Sequence, residues 1–187
     1  MNSHQHHPQR RFFLRRVAQA AAVAAGTPLA ARAALAPSAD ARRLAFDHTH
    51  TGERLEIVYA MGGEYLPQAL ATLNRFLRDH YTGEVGTIDP HLFDLLHGVQ
   101  RELGAGQAFQ VISGYRCPAT NATLKATRGG GVASHSLHMD GKAIDVRLPG
   151  IALGDLRDAA LSLRGGGVGY YQREQFVHVD TGRVRRW

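Results

Sequence analysis

Two short runs place polar residues where a strand would carry its core. In "KAIDVRL" (142–148), side chains that alternate across a strand send Ile144 and Val146 to one face and Asp145 to the other. In "QFVHVD" (175–180), Val177 and Val179 share one face, and Phe176, His178 and Asp180 share the opposite one. Burying a carboxylate is costly unless it is paired or coordinated. Asp145 and His178 therefore read as inward polar positions on adjoining strands. Upstream, "SLHMDGKAID" (136–145) puts His138 seven positions before Asp145, with Gly141 as the turn that brings His138 back over the sheet.

His138, Asp145 and His178 admit two readings. Zinc is held by imidazole nitrogen and carboxylate oxygen, and a catalytic site uses three such protein ligands. Alternatively, His138 is a loop residue, Asp145 pairs with an arginine, and His178 is a hydrogen-bonded core histidine. Spacing alone does not choose between them.

Elsewhere the pattern is mixed. "RLEIVYA" (54–60) predicts a strand, and apolar spacing predicts a helix over 65–80. A second helix starts at Pro90 with Asp89 as its cap. Strands are expected at 109–116, 142–148, 168–171 and 175–180, and a short helix at 153–163. Residues 117–133 read as a loop with room for a short helix, and the triple glycine suggests mobility. Helices first and strands mostly later, without βαβ alternation, point to an α+β fold with a largely antiparallel sheet and N-terminal helices.

The N-terminus accounts for the charge. Residues 1–33 hold Arg10, Arg11, Arg15, Arg16 and Arg32 and no acid, so removing these five of 22 basic residues leaves 17 against 16 acidic. A mixed charge near +1 argues against nucleic-acid binding. "QRRFFLRR", an Ala-rich run over 17–30 and "ARA" at 31–33 have the order of a twin-arginine export signal, too short and weakly apolar for a membrane span. Residues 34–52 read as a lead-in and 53–187 as the domain, with no membrane span in the mature chain and a periplasmic or envelope location expected. The lone Cys117 has no disulfide partner within the chain.

Ser136, His138, Gly141, Ala143 and Asp145 match the S-x-H-x-x-G-x-A-x-D pattern of the zinc D-Ala-D-Ala peptidases, a group that includes lysostaphin-type enzymes and hedgehog signalling domains. "SGYRCPATN", "AIDVRLPG", "GGVGYY" and "FVHVDTGRVRRW" make residues 48–187 resemble most its murein endopeptidase K branch. The resemblance implies the hedgehog/D,D-peptidase-like fold, one zinc ion in the cleft held by His138, Asp145 and His178, and peptidoglycan stem peptides as partners. It also implies that Arg116, after "SGY", binds substrate or steadies the oxyanion, and that a zinc-activated water cuts peptide cross-links between stems, including those joining two diaminopimelate residues.

One departure concerns the general base. Relatives place a histidine two residues, or a glutamate three residues, before the last ligand; here Phe176 and Gln175 stand there. Asp180 is then the first candidate for the base, with orientation of His178 as its other role; Glu174 and His135 are further candidates. The alternatives for the whole chain are a D,D-carboxypeptidase and a zinc-stabilised module that binds wall peptides without cutting them.

Overall fold

The computed structural model describes residues 40–127 and 132–187. The export signal and the triple glycine expected from the sequence lie outside these residues. The order of elements is β1 (Ala41–His48), β2 (Arg54–Met61), β3 (Glu64–Tyr65), α1 (Pro67–Phe76), α2 (Pro90–Glu102), β4 (Phe109–Ser113), α3 (Pro118–Thr127), β5 (Ala143–Arg147), α4 (Leu153–Ser162), β6 (Gly167–Tyr171), β7 (Phe176–Asp180) and β8 (Arg185–Arg186).

All eight strands join one sheet in the order β3-β2-β1-β4-β5-β7-β6-β8. The pairs β1–β4 and β6–β8 are parallel and the other pairs antiparallel, so the expectation of a largely antiparallel sheet agrees with the structure. Two details differ from the sequence reading. Three strands precede the first helix. Residues 41–48, expected within a lead-in, form β1 inside the sheet, paired to β2 and β4, with Leu44 and Phe46 buried. Two basic residues and "DHTH" disguise this strand, but only its alternate positions need be apolar. α1 is shorter than its apolar period suggests, because Tyr65 pairs in β3 and Leu77 caps the helix.

Apolar side chains from α1 (Leu73, Phe76), α2 (Leu92, Phe93, Leu96, Val99) and α4 (Leu156, Ala159, Ala160) pack with Ile144, Val146, Val168, Val177 and Val179 in one core. Directly opposite residues on antiparallel strands share a face. Ile144 faces Val179 and Val179 faces Val168, so the helices cover that face; Asp145 faces His178 and His178 faces Gly169 on the other. Asp89 accepts a hydrogen bond from the His91 amide (3.1 Å) as the cap of α2, and also from Thr181 Oγ1 (2.7 Å), tying the helix start to the end of β7.

His48, at the end of β1, is buried, and its Nε2 has no hydrogen-bond partner among the described residues. Burial, followed by the nearby His80 and His50 rings, pushes its pKa down to about 4. Between pH 6.5 and 4 the unfolded chain binds a proton there that the folded chain refuses, so stability falls as pH falls through that window. The loss is on the order of 3 kcal/mol, and a His48→Gln variant should flatten this part of a denaturant-midpoint profile against pH.

Candidate metal centre

The site begins with a tight turn. Residues 137–141 fold back so that Lys142 N donates to Leu137 O (2.9 Å) and Gly141 N to His138 O (3.3 Å). Gly141 has φ +66°, and a Cβ there would lie 1.9 Å from Thr87 O. Its own carbonyl accepts from the Asp89 amide at 2.9 Å. Gly141→Ala should therefore combine a left-handed backbone penalty with a clash against immovable backbone, costing about 3 kcal/mol in a denaturant melt. A loss near zero would contradict this account of the turn.

The turn lowers His138 onto the polar face of the sheet, where Asp145 and His178 already sit side by side on β5 and β7. All three are buried, and one ligand atom from each lies within 4.8 Å of the others. His138 Nδ1 meets Gly114 O at 2.7 Å and donates to it, leaving Nε2 directed at Asp145 Oδ1 (3.3 Å). His178 turns Nδ1 to the same oxygen (2.9 Å), while its Nε2 meets Asp180 Oδ2 (3.1 Å). Each imidazole thus has its outer nitrogen engaged and its inner nitrogen aimed at a shared point beside Asp145. Fixing the outer nitrogen in this way orients metal-ligating histidines. Two imidazole nitrogens and one carboxylate oxygen fit a divalent transition metal such as zinc.

The electrostatics agree with this arrangement. Burial opposes the Asp145 carboxylate, but the charge and hydrogen bond of His138 and the hydrogen bond of His178 outweigh it and hold the carboxyl well below the usual range. Burial likewise opposes a His178 cation, yet bonds to Asp145 and Asp180 push its pKa up to about 9. In the metal-free chain that contribution to stability is complete below pH 6.5 and is lost as pH rises through about 9.

Arg116 follows β4 and lies on the same cavity, its NH2 3.9 Å from Asp145 Oδ2 and both terminal nitrogens 3.4 Å from acceptors on Asn121 and Ser113. Asp180 is elsewhere engaged. Its buried carboxylate accepts from the Gly167 (3.0 Å) and Gly182 (2.8 Å) amides and from both Arg185 terminal nitrogens, besides meeting His178. Burial opposes this carboxylate, but the hydrogen bonds from His178, Arg185 and the two glycine amides hold it well below the usual range. Of the two roles set out for Asp180, this geometry favours orienting His178 over acting as the general base. Glu174 and His135 do line the cavity of about 470 Å³, with His135 also 3.1 Å from Asp140.

The sequence reading did not single out Arg185 and Trp187. Arg185 clamps Asp180, and the Trp187 ring centre lies 5.3 Å from that of His178, with its Nε1 donating to Tyr171 Oη (2.9 Å). Both depend on β8 pairing parallel to β6, which two residues of local sequence do not announce.

The family model described as peptidoglycan L,D-endopeptidase MepK matches residues 36–187. The chain belongs to this family. It is 47% identical over 146 residues to the peptidoglycan L,D-endopeptidase MepK of Escherichia coli, a match covering 78% of this chain and 80% of that protein. It is 43% identical over 147 residues to the probable peptidoglycan L,D-endopeptidase MepK of Haemophilus influenzae, covering 78% of each. The resemblance of residues 48–187 to the murein endopeptidase K branch is thereby borne out. Membership in this family supports a peptidase, and the buried His138–Asp145–His178 group could hold a metal ion.

Proposed function

We propose that the chain is an exported, zinc-dependent murein endopeptidase that cuts cross-links between peptidoglycan stem peptides, including those between two diaminopimelate residues. The observation that carries this is the buried convergence of His138 Nε2 and His178 Nδ1 on Asp145 Oδ1, each ring fixed from behind. The names of the relatives support an endopeptidase over a D,D-carboxypeptidase. The ordering of the N-terminal residues supports twin-arginine export to the periplasm or envelope, and among the described residues no helix is long and apolar enough to cross a membrane.

His138, Asp145 and His178 would hold the zinc ion, which when bound would supply a Lewis acid able to polarise the scissile carbonyl and acidify water. Asp180 keeps the Nε2 proton of His178 and so fixes which nitrogen of that ring faces the cluster. Arg116 brings a guanidinium to the cavity wall, where it steadies the oxygen of the peptide carbonyl as negative charge develops on it. Glu174 is the carboxylate on that wall that takes up a proton. Glu174→Gln should lower kcat by roughly 10²–10⁴-fold with zinc still bound; an unchanged kcat assigns the proton to another group.

Mass spectrometry of a defined cross-linked muropeptide dimer incubated with the zinc-loaded chain tests the reading. Two monomers are expected. Release of one terminal alanine from an intact dimer would instead indicate a carboxypeptidase, and an untouched dimer a binding module.

A further inference from the structure

A second groove, of about 530 Å³, lies at the same edge of the sheet. It is formed by Arg157, Asp158 and Leu161 of α4, Val168 and Tyr170 of β6, and the chain at Arg186 and Trp187. Strand alternation separates it from the metal site. Arg185 turns toward Asp180 on the cavity side of the sheet, and Arg186 toward Val168 and Tyr170 on the helical side. Trp187 belongs to both walls: its ring covers Gly169, where a Cβ would lie 2.7 Å from it, and it lines cavity and groove alike. The two depressions therefore share Trp187 as a common wall at the sheet edge.

The groove has the chemistry of an anion site with an aromatic floor. Arg186 is exposed and makes no ion pair among the described residues. Arg157 lies over the Tyr170 ring at 4.7 Å, and its partner is the adjacent Asp158 at 2.7 Å, a surface pair that an incoming carboxylate can replace. A cross-linked wall fragment has two peptide arms, each bearing carboxylates, and the scissile link has one arm on either side of it.

Resting on the endopeptidase reading, we propose that the groove between α4 and β8 receives the second, carboxylate-bearing stem peptide of a cross-linked substrate while the link lies in the cavity across Trp187. Arg186 and Arg157 select the arm by charge, and Tyr170 and Trp187 supply the surface it lies on.

Trp187 is the only tryptophan in the chain, so its emission reports from the junction of the two depressions. The test titrates the metal-free full chain, which cannot consume the ligand, with a purified muropeptide dimer, followed by calorimetry and by Trp187 emission. Arg186→Glu should weaken binding roughly tenfold, as expected for a lost charge-assisted hydrogen bond. Arg186→Lys should restore most of it, and Arg54→Glu, on β2 toward the other end of the sheet, should leave it unchanged. Parent-like affinity in both Arg186→Glu and Arg157→Glu, or no binding of the dimer to the parent, overturns the proposal. Cleavage of the same dimer by the zinc-loaded parent is scored separately. A dimer that is cut but bound without regard to Arg186 removes the groove and leaves the endopeptidase. One bound through Arg186 yet never cut does the reverse.

Discussion

Asp145→Asn should leave a folded chain that retains no zinc and cuts no cross-link. Asp145 Oδ1 is the atom on which both imidazoles converge, so the substitution removes one ligand and the charge that draws the other two together. Losing a group that merely orients a ligand costs roughly 10–100-fold in metal affinity or activity. Losing the ligand itself should cost more, bringing turnover down to that of chelator-treated protein. The metal-free fold also loses a buried ion pair, at about 3 kcal/mol, the low end for such a change because His178 can shed its proton. Metal content after dialysis and a denaturant melt measure the two effects separately. One retained equivalent of zinc in the variant would contradict the ligand assignment.

Asp180→Asn produces the second large effect, with a different signature. The carboxylate accepts from two glycine amides and from Arg185 while holding His178 Nε2. An amide replaces one acceptor with a donor facing other donors, which should destabilise the fold by about 3 kcal/mol. With the ring of His178 no longer fixed, zinc affinity should fall roughly 10–100-fold, and saturating zinc should restore much of the turnover. A general base would behave otherwise: kcat would collapse with zinc affinity and stability intact. The ratio of the two effects therefore decides which role Asp180 has.

The parts of the fold readable from sequence are those where a local pattern has one physical solution. Asp89 and Pro90 followed by apolar residues at helical spacing read as a helix start, and α2 begins there. The alternation in "AIDV" and "FVHVD" required Asp145 and His178 to leave the apolar face, and they meet in register across β5 and β7. What was not legible depends on partners distant in sequence. β1 looks like a polar lead-in until β2 and β4 flank it, and β8 is two residues long until β6 pairs with it. The role of Asp180 was hidden for a related reason. Its position on the strand is plain in the sequence, but the Gly167 amide reaches it from the start of β6, and the Gly182 amide and Arg185 guanidinium fold back onto it from the segment just after β7.

Metal-dependent cutting of wall cross-links can be followed on purified sacculi. The mature chain is stripped with a chelator, divided, and half is reloaded with zinc before digestion and mass spectrometry of the released muropeptides. Cross-linked dimers should disappear and the corresponding monomers accumulate only in the reloaded half, and not with Asp145→Asn. Intact cross-links in the reloaded half, with one zinc still bound per chain, would contradict metal-dependent cutting.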